Sequence, residues 1–364
     1  MLDTALLNPF GIDPRDELPH PPEDKPNWTE YYYFFGFDRQ TDHAVSVHIG
    51  REPTDPDIWR AVIGIYSPGG KLLVGRYFGR DGAIDGPGAG PMRVRCQEPM
   101  RRWALSFDGL LEQSDRVALS NRPHPSAIAA LAKFDLVFEG AAPMWDLGKS
   151  DLSKGFVFVV DDTREESKSH HWEQICKVHG SLTLGGKTLA FSGGGNRDHS
   201  FGPRDYTPMV SSMWVNAYFP SGKALMLMGT RVGPFFIQGG YVFRNDGSPL
   251  ETVRFIEAPA GDGDATPPAS IPADPLADPA RRHFRVVVAT AAGEEIITGE
   301  LTHALSSTNL SPNHELLGTD LAFPGKGFQF CECPTRYSWN GEEGMGHFER
   351  ITQLRFLHET GTPS

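Results

Sequence analysis

Asn196, Arg197, Asp198, His199, Arg204 and Asp205 crowd into one short stretch behind the run Gly193-Gly194-Gly195. Aspartate and histidine are the side chains most used for general acid–base chemistry near neutral pH. Glycine lets a backbone take positive φ or lie close against another group, so a glycine-rich approach can seat such a cluster. If residues 196–201 are extended, side chains alternate between faces. Asn196, Asp198 and Ser200 then share one face, which can look into a cavity. Arg197, His199 and Phe201 share the other and brace the cluster, with Arg204 and Asp205 closing it. The same residue types also fit a buried salt-bridge corner of Arg197, Asp198, Arg204 and Asp205, because ion-pair networks perturb titrations without catalysing anything.

Other candidates are weaker. Glu30 is the lone carboxylate in W-T-E-Y-Y-Y-F-F-G-F. Burial among those rings would raise its pKa; on a solvent-facing strand face it would do nothing. His171 opens H-W-E-Q, with His170 and His179 nearby. Neighbouring residues on a strand point to opposite faces, so His170 and His171 do not converge and no metal is expected there. Cys331-Glu-Cys333 has one residue between the sulfurs, short of the zinc-knuckle spacing; strand alternation explains it. In Arg336-Tyr337-Ser338-Trp339-Asn340-Gly341, Tyr337 offers a proton or hydrogen bond and Trp339 a stacking face. The same pattern serves equally as a hairpin with aromatics in its core. There is no G-x-S-x-G elbow and no phosphate-loop lysine.

The bulk numbers narrow the partners. Lys and Arg total 34 against 46 Asp and Glu, a net charge of −12. That speaks against a nucleic-acid groove and against docking on anionic lipid. Four cysteines in 364 residues make no disulfide framework and suit a reducing compartment. The amino terminus lacks a basic segment followed by an apolar core, and no stretch has the apolar length of a membrane helix. A cytoplasmic location is the expectation.

The elements that must hold the cluster read as strands. Short β-prone runs alternate with turn signals: Ser67-Pro68-Gly69-Gly70, Pro220-Ser221-Gly222 and Asn245-Asp246-Gly247. Val117–Ser120 and Phe156–Val160 join the series, and Ile128–Lys133 is briefly helix-like. Residues 1–27 read as an arm on the surface. Residues 258–280 are Ala, Pro, Asp and Gly with little to bury, and read as a disordered or loosely held loop. The expectation is all-β, with two barrels or sandwiches in tandem: 1–185 with its arm, and 186–364 with the loop 258–280. The break between about 180 and 195 would put Asp198 near a domain junction, a favoured place for small-molecule sites.

The block G-G-G-N-R-D-H-S-F-G-P-R-D resembles the signature G-x-G-x-R-D-H-S-W-G-x-R-D of a bacterial family. That family sits in the superfamily of carotenoid 1,2-hydratases, AttH-like proteins and lipocalin-related cyclases. The Trp28/Glu30 strand, His171-Trp172-Glu173-Gln174 and the pattern from Arg336 to Glu349 carry the likeness across most of the chain. The resemblance implies two lipocalin-like barrels, an apolar cavity and no organic cofactor. It also implies that Asp198 is the proton donor to an alkene. Phe201 stands where the signature has Trp. In the carotenoid hydratases a tyrosine lies two residues before that aspartate and a histidine just before it. Here the positions are Asn196 and Arg197, which points to a more oxygenated substrate. His199 and Arg197 would orient the stretch, and Arg204 would pair with Asp205 or bind a substrate oxygen. Glu30, His171, Tyr337 and Trp339 would contribute to the cavity wall. Hydration, dehydration, isomerisation and cyclisation all share the first proton transfer. The alternatives are a non-catalytic carrier of a lipophilic ligand and a scaffold with a large exposed apolar patch.

Overall fold

A computed structural model describes residues 4–121, 128–149, 169–204, 206, 208–258, 271–310, 314–322 and 327–358. Two compact units divide the chain. The first is Met1–Ile65, Leu73–Gln113 and Ser126–Asp205; the second is Tyr66–Leu72, Ser114–Pro125 and Tyr206–Ser364. Among the described residues no helix is long and apolar enough to cross a membrane.

The first sheet contains β1 (Trp28–Asp38), β2 (His43–Glu52), β3 (Asp55–Ser67), β4 (Lys71–Gly79), β5 (Gly88–Ala89), β6 (Met92–Glu98), β7 (Arg102–Asp115), β8 (Ala129–Gly140), β9 (Trp145–Asp146), β10 (His170–Leu184) and β11 (Lys187–Pro203). The path β4-β3-β2-β1-β11-β10-β8-β7 is closed by pairing of β4 with β7. Closure into a barrel removes the exposed edges that an open sheet would leave. Tyr32, Phe34, Val47, Ile63, Trp103 and Phe134 are among the buried side chains that fill it.

The second sheet contains β12 (Met209–Tyr218), β13 (Ala224–Val232), β14 (Phe235–Phe243), β15 (Glu251–Glu257), β17 (His283–Thr290), β18 (Gly293–Leu301), β19 (Leu305–Leu310), β20 (His314–Leu317), β21 (Gly327–Trp339) and β22 (Glu342–Gln353); β16 (Ile271–Pro272) and β23 (Leu357–His358) form a small parallel pair. Here β18 pairs with β21 and closes a second ring. The expectation of two tandem all-β barrels is met.

The expected boundary at 185 is not. Gly185 and Gly186 both have positive φ, and Leu184 pairs with Lys187 across them. That is a two-residue hairpin turn, the kind whose backbone twist suits two glycines. It joins β10 to β11, and β11 is a central strand of the first barrel. The glycine run is also not a loop. A Cβ on Gly195 would lie 1.7 Å from the Phe35 carbonyl oxygen, and one on Gly193 would lie 2.0 Å from that of Phe37. The glycines let β11 lie close against β1.

Three local expectations change. Val117–Ser120 lies in a helix, Arg116–Asn121, because the Asp115 carboxylate accepts the Ala118 N–H at 2.9 Å and caps its first turn. Ile128–Lys133 runs into β8, whose pairing with β7 and β10 overrides local helix preference. Residues 271–280, within the expected loop 258–280, include β16 and the start of the short helix Pro279–Arg282, and the Ala273 carbonyl accepts the Gln329 side-chain amide at 2.7 Å. Residues 259–270, Phe156–Val160 and Asp205 lie outside the described residues.

The amino-terminal arm is anchored at three points rather than merely lying on the surface. Leu7, Ile12 and Glu17 are buried. A short 3₁₀ turn, Pro14–Glu17, delivers Glu17 into the first barrel. Its carboxylate meets the Arg197 guanidinium through Nη1 at 3.1 Å and Nη2 at 2.5 Å. It also accepts the Met100 N–H at 3.0 Å and the indole N–H groups of Trp172 at 2.8 Å and Trp103 at 3.3 Å. Arg197 Nε donates to Gln174 Oε1 at 2.9 Å. Breaking a buried pair from one side leaves an uncompensated charge, at about 3–5 kcal/mol. Glu17→Ala should therefore lower the stability of the first barrel by about that much in denaturant unfolding, and Glu17→Ala with Arg197→Met should recover part of the loss.

Candidate functional site

Residues opposite one another across antiparallel strands share a face, so the registers of β1, β11 and β10 sort the candidates. One set of rows is Phe34–Arg197–Gln174, Tyr32–His199–Trp172 and Glu30–Phe201–His170. Tyr32 and Phe34 belong to the barrel core, so these rows face inward. The alternate rows are Phe35–Asn196–Ile175, Tyr33–Asp198–Glu173 and Tyr31–Ser200–His171. They face outward, yet most of their side chains are buried as well.

The inward face holds charge in closed networks. Glu30 Oε1 accepts the His20 N–H at 2.9 Å, His20 Nδ1 at 2.9 Å and His199 Nε2 at 3.2 Å. Glu30 Oε2 accepts Arg51 Nε at 2.9 Å. Burial would raise the Glu30 carboxyl, but the hydrogen bonds from His199 and His20, with Arg51 nearby, outweigh it and bring it down to about 2. His199 stacks on Tyr32 with ring centroids 3.9 Å apart, and burial pushes its pKa down. The raised pKa expected of a buried Glu30 is thus reversed. Glu30, Arg197 and His199 are framework groups of the barrel interior, on the opposite face from Asp198.

The outward face brings Asp198, Glu173 and His171 together. One oxygen from each carboxylate and one His171 ring nitrogen lie within 4.8 Å of one another. His171 Nε2 is 2.5 Å from Glu173 Oε1, and Arg204 Nη2 is 2.7 Å from His171 Nδ1. Arg204 Nε also reaches Ser169 Oγ at 3.3 Å. Two ionised carboxylates 4.8 Å apart would repel by about 3 kcal/mol at an effective dielectric of about 20. Beside them, Asn196 is fully buried, and neither its amide oxygen nor its amide nitrogen has a hydrogen-bond partner among the described residues. An unsatisfied buried amide is costly and suits a ligand's polar group. Tyr31, Tyr33 and Phe35 supply buried aromatic surface on the same face.

By residue type, two groups offer ligand atoms for a cation: His20, Glu30 and His199 inside the barrel, and His171, Glu173 and Asp198 outside it. In each, a donor already engages one carboxylate. Arg51 occupies Glu30, and the His171–Glu173 bond carries a proton.

Tyr337 and Trp339 lie in the core of the second barrel. The Tyr337 hydroxyl donates to the His347 carbonyl at 2.8 Å, and the Trp339 indole N–H donates to Glu295 Oε2 at 2.6 Å. Both are placed as hairpin-core residues, so the expectation of a cavity wall gives way to packing.

A family profile matches residues 13–353. The chain belongs to DUF7064, a domain of unknown function. No curated protein sequence matches this DUF7064 chain. Its fold is similar to that of a provisionally assigned AttH from Nitrosomonas europaea, with a TM-score of 0.53 and 13% identity over 90% of this chain and 93% of that one. Kievitone hydratase from Nectria haematococca aligns with a TM-score of 0.49 and 12% identity, over 92% of each chain. CghA, solved with Sch210972, aligns with a TM-score of 0.48 and 11% identity, over 90% of this chain and 89% of that one. The AttH likeness agrees with the barrel architecture expected from the sequence.

Two important residues of the DUF7064 chain were not singled out by sequence. Glu173 could have been, because it sits two residues from His171 and shares its strand face. Glu17 carries no such signal in an arm rich in Pro, Asp and Glu.

These networks set the acid response. Glu30 is held near 2 in the fold against about 4.5 in an unfolded chain. Its contribution is full above about 4.5 and is lost as the pH falls toward about 2. His199 and His171 are held below their ordinary value by burial, so the unfolded chain takes up protons first and stability begins to fall below about pH 6.5. Urea unfolding of wild type should weaken progressively from pH 6.5 downward. Glu30→Gln should be less stable at neutral pH and show a shallower decline between about pH 4.5 and 2.

Proposed function

We propose that this chain is a cofactor-independent acid–base enzyme, a hydratase or dehydratase, isomerase or cyclase, acting on a hydrophobic small molecule that carries oxygen. The observation that carries the reading is Asn196. Its buried amide has no hydrogen-bond partner among the described residues, and it shares a strand face with Asp198 two residues on. An amide can accept from a substrate hydroxyl and donate to a substrate carbonyl, so it orients an oxygenated ligand against the neighbouring carboxyl.

In this mechanism Asp198 begins protonated and gives its proton to one carbon of a double bond. The adjacent carbon becomes electron-poor. Water adding there and returning a proton to the Asp198 carboxylate gives hydration; an internal nucleophile that adds there gives a ring, its surplus proton going to the same carboxylate. Loss of a proton from the next carbon to the Asp198 carboxylate gives a shifted alkene and restores the acid. Dehydration is the reverse of hydration. Tyr31, Tyr33 and Phe35 supply apolar contact and aromatic faces that favour developing positive charge.

A non-catalytic carrier is the second reading, because the same aromatic face would hold a lipophilic ligand without chemistry. One experiment separates them. Terpenoid, steroid-like, polyketide and phenolic compounds are incubated with the protein in D2O, binding is followed by tryptophan fluorescence and deuterium uptake by mass spectrometry. An acid–base enzyme incorporates deuterium into the compound it binds, and Asp198→Asn should retain binding while losing about 10²–10⁴-fold in rate. Wild-type rates in that variant would remove Asp198 as the acid, and binding without any deuterium uptake would favour the carrier.

A further inference from the structure

We infer that Asn216 is the centre of a second binding site, on the outward face of the second barrel. Its ligand is a neutral, largely apolar small molecule whose polar group carries a donor and an acceptor side by side, as a carboxamide or lactam does. The site lies on a different barrel from Asp198 and does not depend on the chemistry proposed there.

The strand registers separate the two faces of this barrel. Val215, Leu225, Leu227, Val242, Cys333 and Phe348 belong to its core. The residues between them therefore face outward. Asn216 of β12 lies opposite His347 of β22 on one side and Met226 of β13 on the other. Met226 in turn lies opposite Tyr241 of β14, and Trp214 lies opposite Met228 on the same face. These outward side chains are all buried.

In that setting Asn216 is 1% exposed, and neither its amide oxygen nor its amide nitrogen has a hydrogen-bond partner among the described residues. A buried amide left in this state costs stability and calls for an explanation. Its neighbours along the row do not supply one. A methionine sulfur accepts only weakly and donates nothing, and His347 Nε2 is already 2.5 Å from Glu332 Oε2. The Trp214 ring lies edge-on to His347 with centroids 5.5 Å apart. Tryptophan and methionine offer apolar surface that adapts to a ligand's body.

The construction matches that of the first barrel. Gly346-His347-Phe348-Glu349 in β22 repeats the order of Gly195-Asn196-Arg197-Asp198 in β11. A Cβ on Gly346 would lie 2.0 Å from the Asn216 carbonyl oxygen, as one on Gly195 would strike that of Phe35. Each glycine brings the first strand of its barrel close to the last. Two outward residues follow, and the second is a carboxylate opposite another carboxylate: Asp198 opposite Glu173, and Glu349 opposite Glu332. In each barrel one member of the close strand pair presents a buried asparagine with an unused amide, Asn196 from β11 and Asn216 from β12.

The amide sets the ligand class. It holds a carbonyl oxygen and an NH2 group on one carbon, so a group with an acceptor beside a donor uses both. It brings no charge to offset an ion taken out of water, which selects a neutral group.

Naphthamide is a suitable probe, with N,N-dimethylnaphthamide, naphthalene and naphthoate as comparisons. Full-length protein, ¹⁵N-labelled at asparagine and assigned through the backbone, is titrated with each by NMR, and affinities are measured by equilibrium dialysis. The Asn216 side-chain amide should shift with naphthamide and much less with the three comparisons. Asn216→Leu and Asn216→Ala should each weaken naphthamide binding by about 10-fold, while Asn196→Leu should leave the Asn216 shift in place. If neither Asn216 variant folds, the wild-type titration still decides. An Asn216 amide unmoved by millimolar naphthamide, or a shift confined to Asn196, overturns the inference. So does naphthamide affinity unchanged in both Asn216 variants, and naphthoate binding as tightly as naphthamide would overturn the neutral ligand class.

Discussion

A guanidinium inside a barrel demands a carboxylate, and in this chain the demand is met from 180 residues away. Arg197 points into the first barrel from β11, and Glu17 reaches it from the amino-terminal arm. The pair alone would not offset the loss of water around two charges. It holds because the remaining hydrogen-bonding capacity is used: Gln174 takes the Arg197 Nε–H, while Met100, Trp103 and Trp172 donate to the Glu17 carboxylate. The arm, β7, β10 and β11 are thus tied at one point, and the lateral freedom of β11 is removed there.

That tie matters on the other side of the strand. In a pleated strand, fixing the inward residue fixes its two neighbours outward. Arg197 lies between Asn196 and Asp198, and His199, held by Glu30 and Tyr32, lies between Asp198 and Ser200. Asp198 is therefore set between two inward anchors. The glycines before it press β11 onto β1, where a side chain at Gly193 or Gly195 would strike backbone. The residues that sequence marks most loudly split by parity into a scaffold and a face available for chemistry.

Alternation was legible in the sequence, and so was the grouping of Asn196 with Asp198 and of Arg197 with His199. So were most strands, since aromatic and β-branched runs and turn residues are local signals. The polarity of the faces was not legible, because inward and outward rows here are both buried and both carry charge. The hairpin at Gly185-Gly186 falls inside the expected break between about 180 and 195, and only the pairing of β10 with β11 shows that the chain stays in one barrel there. Glu17 was illegible because nothing in Pro14–Glu17 distinguishes a carboxylate that will be buried from the exposed ones around it. Tyr337 and Trp339 illustrate the converse: functional-looking residue types whose polar atoms are consumed by the His347 carbonyl and Glu295.

The contrast between the two carboxylate settings gives the proposed chemistry its physical basis. Glu30 receives three hydrogen bonds on one oxygen and an arginine on the other, which drives its carboxyl down to about 2. A carboxylate so well supported is a poor acid at neutral pH and a poor base as well, because its lone pairs are already committed. Across the strand, Glu173 and Asp198 sit beside each other, and the donor chain from Arg204 through His171 ends on Glu173. His171 thus donates to one carboxylate of the neighbouring pair. Environment alone can separate the roles of two like residues. Inside the barrel, Arg51 and Arg197 are committed to Glu30 and Glu17, and that commitment fixes β1 and β11 against the arm.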